Sequence, residues 1–132
     1  MTAIDKRSQL NKNLKAIREV LDTDVSGCDV ESVIQKGHKL INLVGLASEC
    51  KATARQILEE TRLIKINELK NAGFSPSVLL KVVDANCANE LMTYEYADRI
   101  NAGISHSLDL IRSIISKEKE EMRLEISNNY TP

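Results

Sequence analysis

The chain is poor in aromatic residues and in helix-breaking residues. Its 132 residues include one Phe, three Tyr and no Trp, so a hydrophobic core has to be built from Ile, Leu and Val. There are only two prolines, and none lies between residues 77 and 126. Over that stretch the apolar residues recur mostly three or four positions apart, which is typical of a helix with one buried face.

The cysteine and charge content narrows the class of protein. Cys28, Cys50 and Cys87 are an odd number without close spacing, and the N-terminus has no apolar run like that of a signal peptide. We therefore expect reduced thiols and a cytoplasmic protein. The formal net charge of -1 provides no basic field for nucleic acid or an anionic membrane. No segment approaches the roughly 20 apolar residues of a membrane span.

The sequence lacks the motifs of common enzymes. It has no His-Glu-x-x-His, no Cys-x-x-Cys, no glycine-rich phosphate loop and no nucleophile elbow. His106 with Asp109 could form a general base oriented by an acid, but such a pair is usually a surface contact. A metal site would need carboxylates from a second helix beside Glu90, Glu95, Asp98 and His106. We assign no catalytic residue, metal ligand or cofactor and expect a non-enzyme.

Residues 22–27 resemble the start of a calcium-binding loop, with oxygen ligands at alternate positions and a glycine at the sixth. The twelfth position needs a bidentate glutamate, and here it is Val33. We therefore interpret the segment as a turn between two helices, with Ser26 or Asp29 capping the second helix.

The helix signals predict an all-α fold with a single domain over residues 1–126. We expect helix A at about 3–22, helix B at about 30–72 and helix C at about 76–126, followed by a flexible tail at 127–132. Gly73 should end helix B in the left-handed conformation, while Ser75 and Pro76 should begin helix C. Poor helix formers at 86–89 mark a point where helix C can break or kink.

Helix A is amphipathic. Leu10, Leu14, Ile17 and Leu21 form a narrow apolar seam. The outer face carries the basic residues Lys6, Arg7, Lys12, Lys15 and Arg18. This face is either solvated or contacts phosphates.

Helices B and C are expected to form an elongated antiparallel hairpin that turns near residues 73–76. Helix A should cover helix B only from about Val30 to Ala47. Apolar residues at the tip are spread too widely for two helices to bury, so we expect a homo-oligomer, by default a two-fold dimer, to complete a bundle there. The candidate interface comprises Ile57, Leu58, Leu63, Ile64, Ile66, Leu69, Phe74, Val78, Leu79, Val82 and Val83.

Midway along the hairpin, small residues such as Gly45 of helix B and Gly103 of helix C are expected to lie opposite each other. They would let the two helix backbones approach closely or would leave a hollow between them. Isolated glycines inside a helix, here Gly37 and Gly45, usually have a packing or ligand reason. Hydrogen-bonding side chains cluster at the same level, either on the surface or around a polar pocket for an anion. The candidate ligand-binding residues are Lys51, Arg55, Tyr94, Tyr96, Asp98, Arg99, Asn101, His106 and Arg112.

These features lead to two main functional hypotheses. The first is an oligomeric binding protein that acts as an adaptor or inhibitor through a protein partner. The second is a protein that sequesters or senses a small anionic, nucleotide-like ligand at the middle of the hairpin. A weaker alternative is a nucleic-acid accessory protein that uses the basic face of helix A.

Overall fold

A computed structural model describes residues 2–25, 27 and 29–129. The described residues form four α-helices and no strand, so the prediction of an all-α fold is confirmed. The helices are α1 (Ala3–Leu21), α2 (Val30–Leu69), α3 (Pro76–Asn86) and α4 (Ala88–Asn129). Ser26, Cys28 and residues 130–132 of the predicted tail lie outside the described residues. No helix formed by the described residues is long and apolar enough to cross a lipid bilayer.

Side chains at the predicted boundaries cap the first two helices. The Asp5 N–H donates to the Thr2 hydroxyl at 3.1 Å and starts α1. The Ser32 N–H donates to Asp29 Oδ1 at 2.9 Å and starts α2. Ser75 makes no such side-chain cap for α3, whose first residue is Pro76. A proline at this position removes one of the N–H groups that would otherwise need a partner.

The ends of the long helices differ from the prediction by a few residues. Helix α2 ends at Leu69 rather than 72, and Gly73 follows with a φ of +86°, the left-handed conformation that glycine adopts most readily. Helix α4 continues to Asn129, so residues 127–129 of the predicted flexible tail are helical.

The helical chain is interrupted at Cys87, within the segment 86–89. Cys87 has φ −106° and ψ 18°, and its N–H donates to the carbonyls of Val83 and Asp84, both at 3.1 Å. Helix α4 begins at the following residue, and the Leu91 N–H in its first turn donates to the Cys87 carbonyl at 2.9 Å. This interruption turns α3 toward α2, where Leu58, Val83 and Cys87 form a small second core.

The main core lies between α1, α2 and α4, and the two long helices run in opposite directions. Gly37 of α2 packs against Ile111 of α4, and further along α2 Lys51 pairs with Asp98, earlier in α4. The most buried large residues of this core are Leu14, Ile17, Leu40, Ile100 and Ile104.

Helix α1 reaches further along α2 than expected. Its C-terminal end lies near the start of α2, where Lys36 Nζ donates to the Leu21 carbonyl at 2.9 Å. At its other end Arg7 Nη2 donates to Thr61 Oγ1 at 3.2 Å. The prediction that helix A covers α2 only as far as Ala47 is therefore wrong, because antiparallel packing and the long Arg7 side chain extend the contact.

The two helical glycines of α2 should respond differently to alanine. An added Cβ at Gly45 meets no atom within 4 Å, so Gly45→Ala should raise the free energy of unfolding by about 0.5–1 kcal/mol through helix propensity. At Gly37 the added Cβ would lie 3.3 Å from Ile111 Cγ2, on a β-branched side chain with few rotamers, so the gain should be smaller or negative. Urea unfolding followed by circular dichroism measures both. Equal gains would show that Ile111 shifts without cost.

Candidate functional site

The predicted polar residues at the middle of the hairpin include an ion pair between the two long helices. Lys51 Nζ lies 2.9 Å from Asp98 Oδ1. This hydrogen bond and the carboxylate charge raise the pKa of Lys51. Tyr94 is half-buried and packs against both cores. These side chains therefore hold the two helices together, and Lys51 already has an anionic partner.

The other candidate ligand residues face several directions. Tyr96 and Arg99 line a shallow groove on α4 with Met92, Thr93 and Glu95. Arg112 pairs with Asp109 at 3.3 Å. Arg55 and His106 are exposed, and Asn101 is half-buried. Because successive residues of an α-helix are turned by about 100°, neighbours such as Tyr94 and Tyr96 lie on different sides of α4. The structure does not bring the predicted set around one cavity.

Three of the acidic residues considered for catalysis or metal binding, Glu90, Asp98 and Asp109, have other partners. Asp109 accepts from Arg112 and Glu90 accepts from Arg7. Among the described residues there is no group of three or more His, Cys, Asp or Glu side chains placed to hold a metal ion.

A different polar cleft lies where α1, α2 and α4 meet, with a volume of about 210 Å³. We call it the Arg7 cleft. Its apolar floor is formed by Leu10, Ala54 and Ile57, and its polar rim by Arg7, Asn11, Asn89, Glu90 and Thr93. Arg7 Nη1 lies 2.9 Å from Glu90 Oε1, so the rim carries a cation and an anion in contact.

Sequence reasoning missed this cleft because it placed Arg7 on the solvated face of helix A. Arg7 instead crosses from α1 to Thr61 on α2 and Glu90 on α4. Arg7 lies three residues before the buried Leu10, which puts it beside the apolar seam of α1. This spacing is the feature of the sequence that indicates a position at the helix interface. The apolar seam of α1 does not determine where along α2 and α4 this helix packs.

An open apolar groove lies between α2 and α3 at the tip of the helical pair, with a volume of about 610 Å³. We call it the tip groove. Its walls are formed by Leu63 and Ile66 of α2 and by Leu80 of α3, with the buried Val83 at its base. Leu63 is 60% exposed and Leu80 is 56% exposed. The rim is charged, and Arg62 pairs with Glu59 at 3.0 Å and lies 3.2 Å from Asp84.

The residues of the predicted interface separate into a buried and an accessible group. Ile57, Leu58 and Val83 are buried within the chain, because α1 covers Ile57 and α3 folds over Leu58. They are therefore unavailable to a second copy, which corrects the prediction for these three. Exposed members are Leu63, Ile64, Phe74 and Val78; Ile66, Leu69, Leu79 and Val82 are half-buried.

Two thiols are free and buried. Burial raises the pKa of Cys50, with a smaller contribution from the Glu49 carboxylate. Burial also raises the pKa of Cys87, and the Glu90 carboxylate adds to the effect. Both thiols are therefore held in the protonated, unreactive form.

Comparisons of the chain with models of protein families, with curated proteins and with solved structures gave no match.

In a Cys28→Ser background, Cys50 and Cys87 should react with a thiol-specific reagent at pH 8 only slowly while the protein is folded. Unfolding in urea should expose both and give complete labelling, because burial removes both access and thiolate character. The absorbance of the released chromophore measures the two rates. Fast labelling of native Cys87 would contradict a closed α3–α4 junction.

Proposed function

We propose that the protein is a non-enzymatic, self-associating helical adaptor whose copies join through the tip groove and which acts by binding other proteins. The observation that carries this function is the tip groove, because it presents exposed leucines from two helices on one surface. Apolar surface rimmed by charged residues is typical of sites that bind a protein partner.

The energetics favour covering this surface. Burying an exposed Leu side chain stabilises a complex by about 1.5–3 kcal/mol, and Leu63 and Leu80 are each a little over half exposed. Each therefore offers on the order of 1 kcal/mol, and in a two-fold dimer every residue contributes twice. Phe74, between α2 and α3, and Val78, near the start of α3, are also exposed and add to the apolar surface at the tip.

The charged rim supports a second copy as the occupant. Glu59, Arg62 and Asp84 place both signs of charge beside the same apolar walls. In an isologous contact the same surface meets itself, so a rim with both signs can offer a carboxylate to each guanidinium. The Arg62 Nε atom is buried beside Asp84, at 3.2 Å, so a carboxylate of a second copy would meet the Nη groups of Arg62 instead.

The remaining surfaces would serve a protein partner once two copies have joined. We place this role in the cytoplasm, where the free thiols of Cys50 and Cys87 would stay reduced. The anionic-ligand hypothesis has less support, because Lys51 is already paired and the other candidate residues face different sides. The nucleic-acid alternative also has less support, because Arg18 of the basic face pairs with Asp22 and Arg7 turns away from that face toward Thr61 and Glu90.

Leu63→Glu should convert the oligomer to a monomer. A carboxylate in the apolar contact would be buried without a partner, and we expect the dissociation constant to rise about 100-fold or more. Size-exclusion chromatography with light scattering over a concentration series measures the mass. The unmodified protein should have twice the mass of one chain.

Leu110→Glu is the matched control. Leu110 is 62% exposed, nearly the same as Leu63, but lies on α4 away from the tip groove. This variant should keep the mass of the unmodified protein. A monomeric unmodified protein, or equal dissociation in both variants, would contradict the tip interface. Native mass spectrometry would separately reveal any small molecule that copurifies, which would favour the ligand hypothesis instead.

A further inference from the structure

The Arg7 cleft combines an apolar floor with two opposite charges. Leu10, Ala54 and Ile57 are buried residues from two helices, and their side chains form the bottom of the cleft. Arg7 and Glu90 lie at the rim on α1 and α4. The cleft is therefore shaped by packing between three helices and does not depend on a loop.

The charged pair at the rim retains binding capacity. A guanidinium has five N–H donors, and the contacts of Arg7 are one from Nη1 to Glu90 and one from Nη2 to Thr61. Glu90 is engaged through Oε1, so its second carboxylate oxygen is left for another donor. The Arg7 side chain is 46% exposed and can move at low cost, whereas the Glu90 side chain is only 13% exposed.

The two opposite charges at the rim, on Arg7 and Glu90, determine which class of ligand fits the cleft. A simple anion would be attracted by Arg7 and repelled by Glu90, and a simple cation would meet the reverse. A zwitterion satisfies both, with its carboxylate on Arg7 and its ammonium group on Glu90. The side-chain amides of Asn11 and Asn89 supply neutral donors and acceptors on either side.

The volume and the floor define the rest of the ligand. The cleft of about 210 Å³ is smaller than the roughly 300–1,000 Å³ of typical ligand pockets, which favours a ligand with a short side chain over a nucleotide. The floor is aliphatic. We propose that the Arg7 cleft binds an α-amino acid with a small aliphatic side chain, a function independent of assembly at the tip groove.

Isothermal titration calorimetry with L-leucine, using the full chain, tests this site. Two analogues separate the charges: 4-methylpentanoate lacks the ammonium group and 3-methylbutylamine lacks the carboxylate. Leucine should bind saturably, and each analogue should bind about tenfold more weakly or worse, because a hydrogen bond to a charged group is lost. Equal binding of leucine and either analogue would overturn the zwitterion assignment.

Variants locate the binding. Arg7→Ala and the isosteric Glu90→Gln should each weaken leucine binding about tenfold or more. Arg18→Ala is the matched control, since Arg18 is an exposed, ion-paired arginine on the same helix, and its variant should bind normally. Circular dichroism checks that each variant is folded, and Glu90→Gln preserves the shape of the side chain if Arg7→Ala does not fold.

Two results would overturn the site: no saturable heat up to about 10 mM leucine, or leucine binding to Glu90→Gln with the same affinity as to the unmodified protein. The test is separate from assembly, because none of these substitutions lies in the tip groove. Leu63→Glu should therefore lose self-association and keep leucine binding.

Discussion

Burial of the core-facing side of α2 along almost its whole length is the interaction on which the rest of the structure depends. At 40 residues α2 spans about 60 Å, and no other single element covers it. Helix α4 packs along one side, α1 along a second, and α3 covers Leu58 near the tip. In the part of the chain that the structure describes, no aromatic ring is fully buried, so the density of the core comes from aliphatic side chains and from buried small residues such as Ala47, Ala54 and Ala97. Small residues let the helix axes approach closely.

The interruption at Cys87 lies within the second core near the tip. Leu58 is covered there by Val83 of α3, by Cys87 itself and by Leu91 and Tyr94 of α4. One short helix has too little surface to cover both sides of the tip, so Leu63 and Leu80 remain exposed around the groove between them. Helix α3 therefore contributes both to the second core and to the groove for which we propose self-association.

Charged side chains join neighbouring helices at the boundary of the core. No polar or charged side chain among the described residues is fully buried. The ion pairs Arg7–Glu90, Lys51–Asp98 and Arg62–Asp84 each join two different helices at the boundary of the core. Ion pairs at the protein surface contribute about 0–1 kcal/mol each, and these three are partly exposed. We infer that they contribute more to the register of the helices than to stability. The Arg7 cleft lies where one of these pairs crosses a gap between three helices.

The sequence by itself determined the helical elements, their approximate ends and the apolar side of each. Caps such as Asp29, the left-handed Gly73 and the spacing of four and seven residues between Ile100, Ile104 and Ile111 act within a turn or two of helix. Hydrogen bonds and periodicity at that range are encoded locally.

Only the tertiary structure decided how far α1 reaches along α2, which side chains meet at the middle of the hairpin and which apolar residues stay exposed at the tip. These outcomes depend on the rotation and height of each helix against its neighbours. An error of one residue turns a side chain by about 100°. For this reason Arg7 bridges three helices instead of facing solvent, and Lys51 pairs with Asp98 instead of lining a pocket.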